Sequence, residues 1–196
     1  THIRHSEKVF IMKRLLLILI LTFSFQTFVK ADDIKDFEIE GMSVGDSFSK
    51  YFNVNDVKLS FPYNNKSYGI YVPNSSFKNY SNVQFHFKKG DKTYKIHALD
   101  GHINFYEDIE NCYIKKKEIV REVIKLFPDA EIQNRKSNHY LDKTGESKVD
   151  ATIFWISTGE TIRIECYDWS NKFNYGDKLI VGILDKEITK FFMEEN

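Results

Sequence analysis

The chain has 196 residues, and its 28 basic and 28 acidic side chains cancel to a formal net charge of zero. Apolar residues make up 42% of the sequence, which is enough to build a buried core, and the length fits one domain behind a short leader. The balanced charge excludes the strongly basic surface that nucleic-acid binding requires.

The first pattern along the chain is typical of an export signal. A basic start at 12–14 precedes an unbroken apolar run at 15–21, and the small-residue pattern at 29–31 comes just before two aspartates. This order predicts a secretory signal peptide over 12–31. A membrane-spanning helix needs about 20 apolar residues, and polar side chains interrupt this segment too early for that.

We expect the mature protein to begin at Asp32, and we place residues 1–11 upstream of the natural start, at Met12. Residues 1–31 carry more basic than acidic side chains, so the exported part has a small net negative charge. The sequence therefore predicts a periplasmic or secreted single domain, 32–196. It is expected to be a monomer that spans no membrane and binds no nucleic acid.

The patterns that follow alternate between helices and strands. A short helix is predicted over 43–52, a strand over 68–72, a long amphipathic helix over 106–127, and a last strand and helical turn over 178–184 and 186–193. Neighbouring strands joined by short turns favour antiparallel pairing. The expected fold class is α+β, with a mainly antiparallel sheet and with the long helix and shorter helices packed on one face.

The first hairpin is predicted to turn at Gly90 and Asp91. A two-residue loop there makes one face of the strand pair wholly apolar. His86 and His97 then become diagonal neighbours on the outer face, about 7 Å apart. That spacing could hold a metal ion, but no third ligand accompanies them in this strand pair. We therefore expect two solvent-facing histidines and no metal.

The second hairpin is predicted to turn at 158–159, which pairs Trp155 with Ile162 on the core face. The outer face is then more aromatic than a fully solvated sheet surface. Either another part of the chain covers this face, or it binds a ligand or a partner protein. Its aromatic residues are Phe154, Tyr167 and Trp169.

Both cysteines fall in the exported part, where an oxidising compartment favours disulfide formation. Cys112 lies on the apolar stripe of the helix over 106–127 and so faces the core. Alternation along the strand predicted over 161–169 places Cys166 on its core face. We therefore expect a disulfide between Cys112 and Cys166, and two buried free thiols are the alternative.

Two long polar connections are the natural places for functional residues. The segment 128–150 has no clear periodicity, so it is a functional loop, a mobile loop or an element that the pattern does not reveal. The segment 168–177 is rich in oxygen ligands but lacks the acidic spacing and closing glutamate of a calcium loop. We expect no metal site there. The sequence also lacks a Gly-x-Ser-x-Gly elbow, a His-Glu-x-x-His helix, a phosphate loop and a Cys-x-x-Cys pair, and no cofactor is expected.

Four blocks of sequence carry a resemblance: the opening at 36–47, the helix segment 111–113, the loop 142–145 and the strand end 165–170, which reads Glu-Cys-Tyr-Asp-Trp-Ser. Together they resemble a group of small exported proteins of marine bacteria. The resemblance implies an exported single domain and implies no activity, cofactor or catalytic residue. The Gly-Met-Ser at 41–43 is also similar to a motif of small outer-membrane assembly proteins of the BamE type.

Three functional hypotheses follow. We favour a non-catalytic binding or interaction module that contacts an envelope protein or a small ligand. A small envelope hydrolase is the second hypothesis, and an assembly component that pairs through its sheet edges is the third. In the binding hypothesis, the ligand contacts Phe154, Tyr167, Asp168, Trp169 and His139. In the hydrolase hypothesis, the catalytic candidates lie between the segments 128–150 and 168–177 and are His139, Asp142, Asp168 and Asp177.

Overall fold

The computed structural model describes residues 34–63 and 66–195, so the predicted signal peptide and the residues before it lie outside the described part. The strands are β1 (Tyr68–Tyr71), β2 (Asn82–Lys88), β3 (Ala98–Tyr106), β4 (Glu131–Asn138), β5 (Lys148–Trp155), β6 (Thr161–Asp168) and β7 (Asp177–Leu184). The helices are α1 (Ile109–Leu126) and α2 (Lys186–Glu195). Three single-turn 3-10 helices cover Ile34–Asp36, Phe48–Lys50 and Val54–Asp56.

The seven strands form one antiparallel sheet in the order β1-β2-β3-β7-β6-β5-β4. The chain makes a meander through β1 to β3, crosses the sheet through α1, and returns as a second meander through β4 to β7. The last strand of the second meander pairs with the last strand of the first. This arrangement is mainly β with two α-helices, which confirms the α+β class in its broad form.

Helix α1 packs on one face of the sheet and closes the main core. Asp108 caps it by accepting a hydrogen bond from the backbone N–H of Asn111 at 3.2 Å. Cys112 and Val123 are fully buried against the sheet. The predicted disulfide is confirmed: Cys112 and Cys166 are bonded, with their Cα atoms 6.0 Å apart, because the helical stripe and the strand alternation both point inward.

The same face continues under the segment that precedes β1. Phe48, in the second 3-10 helix, is fully buried, and its ring centroid lies 4.9 Å from that of Phe85 and 4.7 Å from that of Phe52. The structure has only this single 3-10 turn, Phe48–Lys50, where a helix was predicted over 43–52. Gly45 explains the difference, because its φ of +87° leaves the helical region.

Helix α2 packs on the opposite face, so the expectation that the helices share one face is wrong for this helix. Ile188 and Phe191 of α2 form a second apolar cluster with Ala98 and Leu184. Side chains alternate between the faces of a strand, and the neighbours of Ala98 and Leu184 in sequence point into the core beneath α1. The sheet is therefore covered by a helix on each side.

The first hairpin is longer than predicted, and its histidines are buried. Phe85 lies opposite Leu99, and the connection between β2 and β3 spans 89–97. Ile96 instead exchanges backbone hydrogen bonds of 2.8 Å with Gly45 and Asp46, which prevents it from pairing with β2. The prediction of solvent-facing His86 and His97 is wrong, because both are almost fully buried.

The second hairpin differs from its prediction by one residue. The loop closes where Ile156 donates its backbone N–H to Glu160, and Gly159 has a φ of +101°, so three residues rather than two connect the strands. Phe154 therefore lies opposite Ile162 and is fully buried in the core. The placement of Phe154 on the outer face is wrong, since a shift of one residue moves every side chain to the other face.

The segment 128–150 contains an element that the pattern did not reveal. It holds β4, an edge strand whose residues are exposed except for half-buried Ser137, and the beginning of β5. Only a short connection, 139–147, remains between them. Within 34–63 and 66–195, no helix is both long and apolar enough to cross a membrane.

Candidate functional site: the aromatic and acidic cleft

A cleft of about 720 Å³ opens where the turn between β3 and α1 meets the connection between β6 and β7. We call it the acidic cleft. It receives carboxylates and aromatic rings from both segments. Its walls are formed by Tyr106, Glu107, Ile109, Asp168, Trp169, Asn171, Phe173, Asn174, Tyr175, Gly176 and Asp177.

Irregular backbone shapes the first wall. The pairing of β3 with β7 shifts between Asn104 and Tyr106, which is a β-bulge. Tyr106 has a φ of +55°, a left-handed conformation that is unfavourable for a bulky residue. Gly176 lies against it, and a Cβ on that glycine would stand 3.1 Å from the Tyr106 Cα. The bulge therefore presents the Tyr106 ring outward, with 71% of the residue exposed.

A cluster of rings builds the second wall and extends behind it. We define the aromatic cluster as His139, Tyr167, Trp169, Phe173 and Tyr175. Trp169 is its centre: its ring centroid lies 4.2 Å from that of His139 and 4.8 Å from that of Tyr175. The Phe173 and Tyr175 rings are stacked at 5.9 Å. Such contacts hold the connection between β6 and β7 in one shape.

Hydrogen bonds fix the same connection to its neighbours. The backbone N–H of Trp169 donates to Asp177 at 2.9 Å, across the base of the connection. The backbone N–H of Ser170 donates to Ser147 at 3.0 Å, and the Ser170 hydroxyl donates to Glu146 at 2.8 Å. These bonds join the connection to the segment 139–147. The wall of the cleft is therefore preformed.

The cleft has an excess of negative charge. Burial raises the pKa of Asp177, and the nearby carboxylates of Asp168, Glu107 and Asp108 raise it further. In the part of the chain that the structure describes, none of these four carboxylates forms an ion pair with a lysine or arginine. No ion pair of the described residues offsets these charges, and their compensation is limited to backbone donors, which are the Trp169 N–H for Asp177 and the N-terminus of α1 for Asp108.

One polar group in the wall lacks a partner. The indole Nε1 of Trp169 is buried and makes no hydrogen bond, although only 7% of this residue is exposed. A buried donor without an acceptor costs about 1–3 kcal/mol. Groups of this kind occur where a ligand or water completes the site.

The structure brings three of the predicted binding residues together. His139, Tyr167 and Trp169 belong to the aromatic cluster, with the His139 and Tyr167 ring centroids 5.0 Å apart. Asp168 lines the acidic cleft beside Trp169. Phe154 is in the main core and does not contribute.

The residues of the hydrolase hypothesis are divided between two places. Asp168 and Asp177 line the cleft, but Asp142 does not. Asp142 accepts hydrogen bonds from Thr144 at 2.6 Å and from the Ser147 backbone at 2.7 Å, and these hold its pKa below the usual range. This carboxylate stabilises its own turn and is not available to a substrate.

The sequence reasoning missed two residues of the cleft. Tyr106 and Glu107 were assigned to the beginning of the long helix, whereas α1 begins at Ile109. Their side chains reach the cleft because of the bulge, and no periodic pattern signals a bulge. Tyr175 lies in the segment 168–177, where the sequence predicts functional residues, and the sequence Asn-Tyr-Gly at 174–176 is typical of a turn.

A buried polar network lies elsewhere on the sheet. Arg163 Nη2 donates to both carboxylate oxygens of Asp100 at 2.8 Å, and His86 Nε2 lies 2.9 Å from the same carboxylate. Each group is satisfied by the others, apart from Arg163 Nε, which has no partner. Asp100 and His86 are fully buried and the Arg163 side chain is 26% exposed, so the network joins β2, β3 and β6 on this face of the sheet.

One group of side chains has the spacing of metal ligands. Ligand atoms of His97, Asp185 and Glu187 lie within 4.8 Å of one another. However, Lys95 Nζ is 3.2 Å from Asp185, and Lys88 pairs with Glu187. Two lysines already neutralise these carboxylates, so the group is an ion-pair cluster at the base of α2.

The acidic cleft thus combines exposed rings, carboxylates and a rigid wall. Such a site can hold a small molecule or a side chain of a partner by ring contacts and charge. The geometry offers no nucleophile paired with a base in the cleft. No protein-family model matches the chain, and no curated protein or solved structure is significantly similar to it.

Proposed function

We propose that this protein is a non-catalytic, exported binding module that takes its ligand in the acidic cleft. The observation that carries the proposal is the left-handed Tyr106 at the bulge of β3, whose ring is held 71% exposed beside the cleft. Left-handed residues other than glycine are enriched at functional sites. Tyr106 is the one such residue of the described chain that lines the cleft.

The rigidity of the cleft favours binding. Its second wall is held by ring contacts around Trp169 and by hydrogen bonds to Ser147 and Glu146. A preformed site loses little conformational entropy when the ligand enters.

Assembly through sheet edges receives less support. β4 is an edge strand and is exposed, which favours addition of a strand from a partner. However, Glu131, Arg135 and Lys136 place both signs of charge along this edge. Charged edge strands resist unselective pairing, so we propose the cleft rather than the edge as the functional surface.

The experiment that tests the proposal is ligand screening by two-dimensional amide NMR. A collection of small cations, anions, sugars and short peptides is titrated into the purified protein, and shifts of the 106–109 and 168–177 amides are followed. We expect at least one class of compound to shift both segments together. The indole signal of Trp169 should move with them, because this residue lines the cleft.

A matched pair of variants provides the control. Tyr175→Ala removes a ring of the cleft that is 57% exposed, and Tyr51→Ala removes an exposed ring, at 39%, that neither lines the cleft nor belongs to the aromatic cluster. Binding should weaken in the first variant only. If no compound shifts the cleft amides, or if both variants bind equally well, the proposed binding function is rejected.

Export is tested separately by intact mass of the secreted protein, measured with and without reduction. We propose cleavage before Asp32 and a monomer in the periplasm or outside the cell. The disulfide between Cys112 and Cys166 supports this location, because such bonds persist in oxidising compartments. A retained amino terminus would contradict it.

A further inference from the structure

The walls of the acidic cleft combine carboxylates with aromatic rings, and this combination selects for positive charge. We propose that the cleft binds an organic cation, namely an alkylammonium or guanidinium group. The inference rests on the proposed function, since it names the class of ligand that the same cleft takes. The chemistry is that of a cation held over ring faces with a carboxylate beside it.

The carboxylates supply the first part of the argument. Glu107, Asp168 and Asp177 line the cleft, and no lysine or arginine of the described residues pairs with them. Burial raises the pKa of Asp177 above its usual range, and the negative charge of the neighbouring carboxylates raises it further. A bound cation relieves this repulsion, whereas an anion would increase it and a neutral sugar would leave it unchanged.

The rings supply the second part. Tyr106 and Tyr175 line the cleft and are 71% and 57% exposed, and Trp169, almost fully buried, lines it beside them. The aromatic cluster already holds one cation, because Lys178 Nζ lies 5.7 Å from the Tyr167 ring centroid and 5.9 Å from that of Trp169. Lys178 does not line the cleft, so the exposed rings are free for a second cation.

The carboxylates of the cleft do not form a cluster of metal ligands. Among residues 34–63 and 66–195, the one group of three His, Cys, Asp or Glu ligand atoms within 4.8 Å is His97, Asp185 and Glu187, none of which lines the cleft. A volume of about 720 Å³ instead suits an organic group.

The test is a set of titrations of the purified protein, followed by amide NMR and by calorimetry. Choline is compared with 3,3-dimethylbutan-1-ol, which has the same shape without the charge. Nα-acetyl-lysine methylamide and Nα-acetyl-arginine methylamide represent the side chains of a protein partner, and maltose represents neutral sugars. We expect at least one of the three cations to bind at least about tenfold more tightly than the neutral alcohol.

Two pairs of variants assign the binding energy to the cleft. Tyr175→Ala should weaken binding of the cation about three- to fivefold, whereas Tyr51→Ala, away from the cleft, should leave it unchanged. Glu107→Gln should weaken it by a similar factor and reduce its dependence on salt, whereas Glu118→Gln, at an exposed helical position, should not. Tighter binding of choline indicates a small-molecule ligand, and tighter binding of the lysine or arginine probe indicates a protein ligand.

Three outcomes would overturn the inference. The first is equal binding of choline and its neutral isostere, and the second is binding of maltose at the cleft amides without any cation. In both, the cleft remains a binding site and only the class of ligand is wrong. The third is no shift of the cleft amides with any probe or any compound of the wider screen, which rejects the proposed function as well.

Discussion

Arg163 on β6 reaches across β7 to Asp100 on β3, and Gly182 is the residue of β7 over which the two side chains meet. Gly182 pairs with Asp100 on one side and with Arg163 on the other. A Cβ on this glycine would stand 2.5 Å from the Asp100 carboxylate and 2.7 Å from Arg163 Nε. The absence of a side chain is what makes room for the ion pair.

The substitution Gly182→Ala should therefore destabilise the protein by about 2 kcal/mol, because the added methyl group has no space beside the buried pair. Urea unfolding followed by circular dichroism measures the change. The control is the same substitution in an Asp100→Ala, Arg163→Ala background, where the space is open. An equal cost in both backgrounds would show that the crowding lies elsewhere.

Loss of the disulfide should have a larger effect. Replacing both Cys112 and Cys166 by alanine removes the cross-link between α1 and β6 and should lower the free energy of unfolding by about 4 kcal/mol. Chemical unfolding with and without reductant gives the same quantity for the natural chain. Reductant should not change the double variant. A natural chain whose midpoint is insensitive to full reduction would contradict this prediction.

Stability should fall as the pH falls below about 6.5, in part through His102. Burial lowers the pKa of His102 from 6.5 to about 4. Between these values the unfolded chain binds a proton that the folded protein does not, so lowering the pH favours unfolding. Over this window we expect a loss of about 3 kcal/mol from this residue.

The variant His102→Gln isolates that contribution. Its unfolding free energy, measured between pH 7 and pH 4, should vary less steeply than that of the natural protein. Some slope will remain because burial also lowers the pKa of His139. The pKa values of Asp100 and Asp185 are lowered in the folded protein, so the stability that these two carboxylates contribute is lost only at more acidic pH. Identical slopes for variant and natural chain would exclude His102 as a source.

Tyr106 should show opposite effects on stability and on binding. The variant Tyr106→Gly relieves the left-handed backbone at φ +55° and should stabilise the protein by up to about 1 kcal/mol. The same variant loses a ring of the cleft and should bind the ligand more weakly. Tyr175→Gly is the control, because it removes a cleft ring without a left-handed backbone to relieve. Stabilisation in both variants would argue against strain at Tyr106.

Local patterns were sufficient to predict several parts of this protein. The amphipathic stripe that carries Cys112 and the alternation that carries Cys166 correctly indicated a core-facing pair and the disulfide. The strand over Thr161–Asp168 and the helix after Leu184 also follow their periodic patterns closely. These features depend on which side chains share one face of a helix or strand, and the spacing of residues along the sequence determines that property.

Other features depended on contacts between distant segments. The strand β4 has no apolar alternation because it is exposed at an edge, and its existence is decided by backbone pairing with β5. Ile96 does not pair with β2 as predicted, because its backbone forms hydrogen bonds with the segment around Gly45 instead. One additional loop residue reversed the predicted outward position of Phe154. Register is sensitive to a single residue, so local patterns determine it weakly.

The sequence by itself determined the inward-facing cysteines and the elements with strong periodicity, and it indicated the segment 168–177 as a polar connection. Only the tertiary structure decided that this segment meets the bulge at Tyr106 to form the acidic cleft. The reason is physical: periodicity reports which side of an element is buried, whereas a cleft is made by the relative positions of two elements. Those positions are set by long-range pairing of β3 with β7 and by packing against α1.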